Sequence, residues 1–61
     1  MPVVHIYMLE GKTTDQKRAM VREVTEALSR TLDVAPNNVI IQLIELEGCN
    51  VGAEGKLASD Q

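Results

Sequence analysis

The chain has 61 residues, 44% of them hydrophobic and 25% charged, with a net charge of −3. Cys49 is the only cysteine and His5 the only histidine, which excludes an internal disulfide and a structural zinc cluster. There is no Lys/Arg cluster for nucleic acid and no apolar run near the ~20 residues of a membrane span, and no signal-type leader is expected.

The expectation is one small domain over 1–61, soluble and cytoplasmic, with neither nucleic acid nor membrane as a partner. A chain this short buries only about 60% of its unfolded surface. With neither disulfide nor metal to help, oligomerisation is the expected source of stability. Tyr7 is the only aromatic residue, so aliphatic side chains must fill any core.

Val3 to Leu9 alternates as a strand. Val4, Ile6 and Met8 share one face, and Val3, His5, Tyr7 and Leu9 share the other. Gly11 ends it. Thr13-Thr14-Asp15-Gln16 then fits a capping box, and Asp15 suits the positive end of a helix dipole. The helix is expected from about Thr14 to about Leu32. Met20, Val24, Ala27, Leu28 and Leu32 form its apolar stripe. Lys17, Arg18, Arg22, Glu26 and Arg30 fall largely outside that stripe and read as a solvated face, with Arg22 and Glu26 spaced to pair weakly.

Pro36 forbids continuation of the helix, and Asn37-Asn38 suits a turn. Val39 to Leu46 is the second strand, apolar on both faces, as in a strand covered on both sides. One helix can cover only one face of a two-stranded sheet, so the other needs another subunit. The glycine-punctuated tail from Glu47 suits a small hairpin or loop over a neighbour. The order strand, helix, strand implies parallel strands and a right-handed crossover. The fold class is α/β (α+β), a β-α-β subunit whose pairing gives four-stranded sheets.

Pro2 is the first candidate for chemistry. If Met1 is removed, Pro2 carries a free secondary amine. Burial among Val3, Leu9 and Val51 would favour its neutral form, a base able to take a proton from carbon next to a carbonyl. If Met1 stays, Pro2 is a tertiary amide and no base. Lys12, after Gly11 at the strand end, could hold a carboxylate or an enolate oxygen; read alone, it is more simply a surface lysine. His5 reads as a structural or interface residue. Cys49 has no base near it in sequence, and Glu54 reads as a solvated carboxylate.

The stretches MPVVHIYMLEGK, TDQKR and REVTEALSR together resemble 4-oxalocrotonate tautomerase and its small relatives, in register over essentially the whole chain. The resemblance implies a β-α-β subunit in a homohexamer built as a trimer of dimers. It implies enol–keto isomerisation of 2-hydroxydienoate or enolpyruvate-type acids without cofactor or metal. It also implies that Pro2, exposed by loss of Met1, is general base and then acid. Lys12 stands where the family places a carboxylate-binding arginine. The cation is kept and the bidentate fork is lost.

Ile40 stands where the type enzyme has a second arginine, and Val51 where it has a phenylalanine. A mono-acid enol such as an arylenolpyruvate therefore fits better than a dicarboxylate. Leu9 and Asn38 match positions that line the family's site. Two further readings accompany this one. The chain could be the partner subunit of a mixed hexamer. It could also be a hydratase or dehalogenase, although the water-activating glutamate of those relatives aligns with Ala53, one place before Glu54.

Overall fold

The computed structural model describes all residues 1–61. Its elements are β1 (Val3–Leu9), α1 (Thr14–Leu32), β2 (Ile40–Leu46) and a C-terminal hairpin of β3 (Gly52–Ala53) and β4 (Lys56–Leu57). Short 3₁₀ turns cover Pro36–Asn38, Gly48–Asn50 and Ala58–Asp60. β1 and β2 pair in parallel, with Val3 opposite Ile40 and Leu9 opposite Leu46. The fold is α+β, and its organising unit is the expected β-α-β.

Local chemistry sets the boundaries. The Thr13 side chain accepts from the Gln16 amide at 3.1 Å, and the Gln16 side chain accepts from the Thr13 amide at 2.9 Å. This reciprocal capping box satisfies two donors that the first turn leaves free. At the other end Asp33 adopts the left-handed conformation (φ 55°), and its amide donates to the Ser29 carbonyl. β2 starts at Ile40, one residue later than expected, because the Val39 amide is used to close the Pro36 turn at 3.2 Å. The tail is a hairpin, antiparallel, with Ala53 opposite Lys56. Its two turn residues, Glu54 (φ 55°) and Gly55 (φ 80°), both have the positive φ of a type I′ connection.

The register sorts the side chains. Val4, Ile6, Met8, Ile41 and Leu43 lie under the helix, with Glu45 in the same row. From α1, Met20, Val21, Val24, Ala27 and Leu28 are half-buried. Leu32, expected in this stripe, is 54% exposed, because it sits in the last turn before the chain leaves the helix. Lys17, expected on the solvated face, is half-buried and ion-paired to Glu45. Arg22 and Glu26 form no ion pair, whereas Arg18 bridges Asp15 at 2.6 Å.

The opposite face of the sheet carries Val3, His5, Tyr7, Leu9, Ile40, Gln42, Ile44 and Leu46. It is bare: Tyr7 is 67% exposed, Val3 57% and Ile40 46%. No residue of the 61 is buried. The radius of gyration is 14.4 Å, against about 10–11 Å for a compact domain of this length. The accessible surface is 4711 Å², where a folded monomer of 6.7 kDa exposes about 3,900 Å². The excess, about 800 Å², matches what one partner contributes to a standard interface. A single copy is half of a packing problem.

Candidate active site

Pro2 stands just before β1, half-buried, with Met1 ahead of it and 79% exposed. Its carbonyl accepts from the Ile40 amide at 3.0 Å. The sheet thus uses the carbonyl of Pro2 and leaves its nitrogen outside the ladder. Ile40 opens β2 beside Val3, and its side chain joins the bare face. Asn38 lies two residues earlier, in the turn whose first bond runs from its amide to the Ala35 carbonyl at 2.9 Å. Pro2, Asn38 and Ile40 therefore cluster at one end of the sheet.

Leu9 and Lys12 lie at the other end. The Glu10 amide donates to the Leu46 carbonyl at 3.0 Å, which extends the pairing by one residue. Gly11 then turns the chain with φ 114°, a conformation that L side chains rarely adopt. Lys12 follows, exposed and free of any ion pair within the chain. Val51 comes after the 3₁₀ turn that follows β2, and its carbonyl accepts from the Ala58 amide at 2.8 Å. Six residue steps separate Val3 from Leu9, about 20 Å at strand rise. The expected burial of Pro2 among Val3, Leu9 and Val51 is thus not met within one copy. Strand length alone forbids Pro2 and Leu9 from touching.

The remaining candidates are scattered. His5 is on the bare face opposite Gln42. The Cys49 thiol is exposed, with Sγ 3.6 Å from Glu47 Oε2. Glu54 is exposed in the hairpin turn. The residue that the sequence reading missed is Lys17. The signal was Glu45: its place in the row of Ile41 and Leu43 sets a carboxylate on the helix side of the sheet, within reach of a lysine on α1.

The family model for tautomerase enzymes matches residues 2–61, so the match begins at Pro2. The 2-hydroxymuconate tautomerase of Pseudomonas putida is 41% identical over 59 residues, covering 97% of this chain and 94% of that protein. A solved 4-oxalocrotonate tautomerase isozyme of Methylibium petroleiphilum superposes with a TM-score of 0.93 at 41% identity, covering 97% of this chain and 92% of the other. A heterohexamer 4-oxalocrotonate tautomerase of Chloroflexus aurantiacus gives a TM-score of 0.93 at 27% identity, covering 98% and 97%. With the β-α-β unit and a family match from Pro2 to Gln61, the chain belongs to the 4-oxalocrotonate tautomerase group of the tautomerase family, and it is an isomerase.

Proposed function

We propose that this single-domain, cytoplasmic chain interconverts the enol and keto forms of enolpyruvate-type or 2-hydroxydienoate acids, with Pro2, freed of Met1, as the base. A neutral proline nitrogen takes the proton of the enol hydroxyl. The O–H electrons become the carbonyl, and the C=C pair takes a proton from the prolinium at carbon. The proton removed equals the proton returned, so the step needs no cofactor. Lys12 of a neighbouring copy binds the carboxylate, while Leu9, Asn38, Ile40 and Val51 line the pocket.

The observation that carries this reading is the hold on Pro2: its carbonyl is fixed to Ile40 while its nitrogen stays outside the sheet. Pro2 and Lys12 lie at opposite ends of β1, so a site using both draws them from different copies. The bare face and the excess surface support a homo-oligomer, a hexamer built as a trimer of dimers. Ile40 beside Pro2 supplies no charge, and Lys12 is the only cation among the candidates. A mono-acid such as an arylenolpyruvate therefore fits better than a dicarboxylate.

The test is ketonisation of an arylenolpyruvate, followed by absorbance, with intact mass establishing that Met1 is absent. Turnover well above buffer is expected, reduced by about 10²–10⁴ in Pro2→Ala. No turnover from Met1-free protein overturns the stand-alone reading. It would favour the second one, a partner subunit of a mixed assembly like the Chloroflexus relative, to which the uncharged Ile40 and small Val51 are suited. Halide or a hydrated product from a haloacrylate would point instead to dehalogenase or hydratase chemistry.

A further inference from the structure

We infer that the turn Ala58–Asp60, closed against Gly48, sets the position of Val51 and with it the site's fit to the apolar end of a substrate. The inference rests on the pocket proposed above, which Val51 lines, and adds Gly48 and Ala58 as positioning residues. Val51 is half-buried in the link between the Gly48–Asn50 turn and the hairpin. Both of its backbone polar groups are engaged. Its amide donates to the Gly48 carbonyl at 3.4 Å, and its carbonyl accepts from the Ala58 amide at 2.8 Å. The second bond carries the hairpin ladder one pair past Gly52 and Leu57.

The hairpin needs that closure. β3 and β4 have two residues each, and so short a ladder is not stable in water by itself. The Ala58–Asp60 turn supplies the support by folding back on the Gly48–Asn50 turn, where Gly48 meets Ser59. A Cβ on Gly48 would stand 3.2 Å from the Ser59 amide nitrogen and 3.4 Å from its Cα and Cβ. That is closer than side chains ordinarily pack, so the two turns approach through the missing Cβ of Gly48. Gly48 has no positive φ, so the close approach is its only special demand. No other glycine of the chain is approached so closely.

Fixing this backbone fixes the side chain. Val51 is extended, with φ −125° and ψ 123°, and a β-branched residue has few χ1 choices once φ and ψ are set. The two hydrogen bonds therefore aim its methyl groups. Neither Gly48 nor Ala58 offers a side chain for chemistry, and each acts through Val51. The Ala58 amide is the simplest of these links to remove. Ala58 is the first residue of its turn, and Leu57 before it is extended at φ −76° and ψ 143°. Proline suits both conditions and deletes one donor.

The experiment compares turnover of an arylenolpyruvate and of a short 2-hydroxydienoate by the Met1-free full chain. Wild type, Val51→Ala, Ala58→Pro and the double variant are run side by side. Ala58→Pro is expected to lower the aryl-to-short ratio of kcat/KM by about 2- to 10-fold, the worth of one neutral hydrogen bond, chiefly through KM. Ala58→Ser keeps the amide and should keep the wild-type ratio. In the Val51→Ala background, Ala58→Pro should move the ratio no further. An unchanged ratio overturns the inference, and so does an equal fall for both substrates, which a general loss of folded protein would give. An effect that adds to that of Val51→Ala overturns it as well. If Val51→Ala itself leaves the ratio unchanged, Val51 is outside the pocket. If the wild type turns over neither substrate, the proposed function fails. Each of these last two outcomes removes the premise of the inference and is distinct from the others. Should Ala58→Pro fail to fold, Gly48→Ala gives the same comparison by crowding Ser59 from the other side.

Discussion

Lys17 Nζ of α1 lies 2.7 Å from Glu45 Oε1 of β2, the one ion pair that ties the helix to the sheet. Both side chains are partly exposed, 25% and 41%, so water screens the pair and its net worth is modest. Glu45 is nevertheless the one carboxylate in a row that otherwise consists of Val4, Ile6, Met8, Ile41 and Leu43. Lys17→Met should lower stability by roughly 0.5–1 kcal/mol, because it leaves Glu45 facing a helix with no cation in place. Lys17→Met combined with Glu45→Leu should recover most of that loss. Thermal unfolding of the four proteins at one concentration closes the cycle.

Ile40 bears on substrate choice. It is tied to Pro2 through the backbone and presents an aliphatic side chain next to the proposed base. Ile40→Arg should leave turnover of a mono-acid enol within a few-fold. It should improve kcat/KM for a dicarboxylate by about 10- to 100-fold, the worth of one charge-assisted hydrogen bond. The ratio of the two substrates' kcat/KM is the readout. An unchanged ratio would remove Ile40 from the pocket.

Lys12 has no ion-pair partner within the chain, so its charge is available to a ligand. Lys12→Ala should lower kcat/KM by about tenfold or more, chiefly through KM, if the lysine binds the carboxylate equally in ground and transition states. Lys12→Arg should preserve or improve binding, because the guanidinium forks onto a carboxylate. A fall confined to kcat would instead place Lys12 at the developing enolate oxygen.

The temperature of unfolding should depend on protein concentration. No residue is buried in one copy, so folding and association are linked, and dilution favours the unfolded chain by mass action. Calorimetry over a hundredfold concentration range checks this. A constant midpoint would mean that the single copy is stable without a partner.

What the sequence made legible was local. The capping box reads directly from Thr13 and Gln16, because the residues that form it are three apart. The strand Val3–Leu9 and the helix Thr14–Leu32 follow from the spacing of their apolar residues. The bare face follows from there being one helix for two apolar faces. What stayed hidden depends on the arrangement of one element over another. Helical periodicity placed Leu32 in the core stripe and Lys17 outside it, and could not show that Leu32 stays exposed or that Lys17 pairs with Glu45. The candidate site residues were legible as a set. Their division between two ends of the sheet was not, since it follows from strand register and direction.

That division makes the proposed site a shared possession. If each centre takes Pro2 from one copy and Lys12 from another, two crippled proteins can repair one another. Mixed assemblies of Pro2→Ala and Lys12→Ala chains, co-expressed in equal amounts, contain centres in which both contributed residues are wild type, about one quarter of the total by random association. At low substrate concentration, activity would then rise above that of either variant alone. Selection on such a chain would act on the encounter between copies, where no copy by itself holds a complete phenotype.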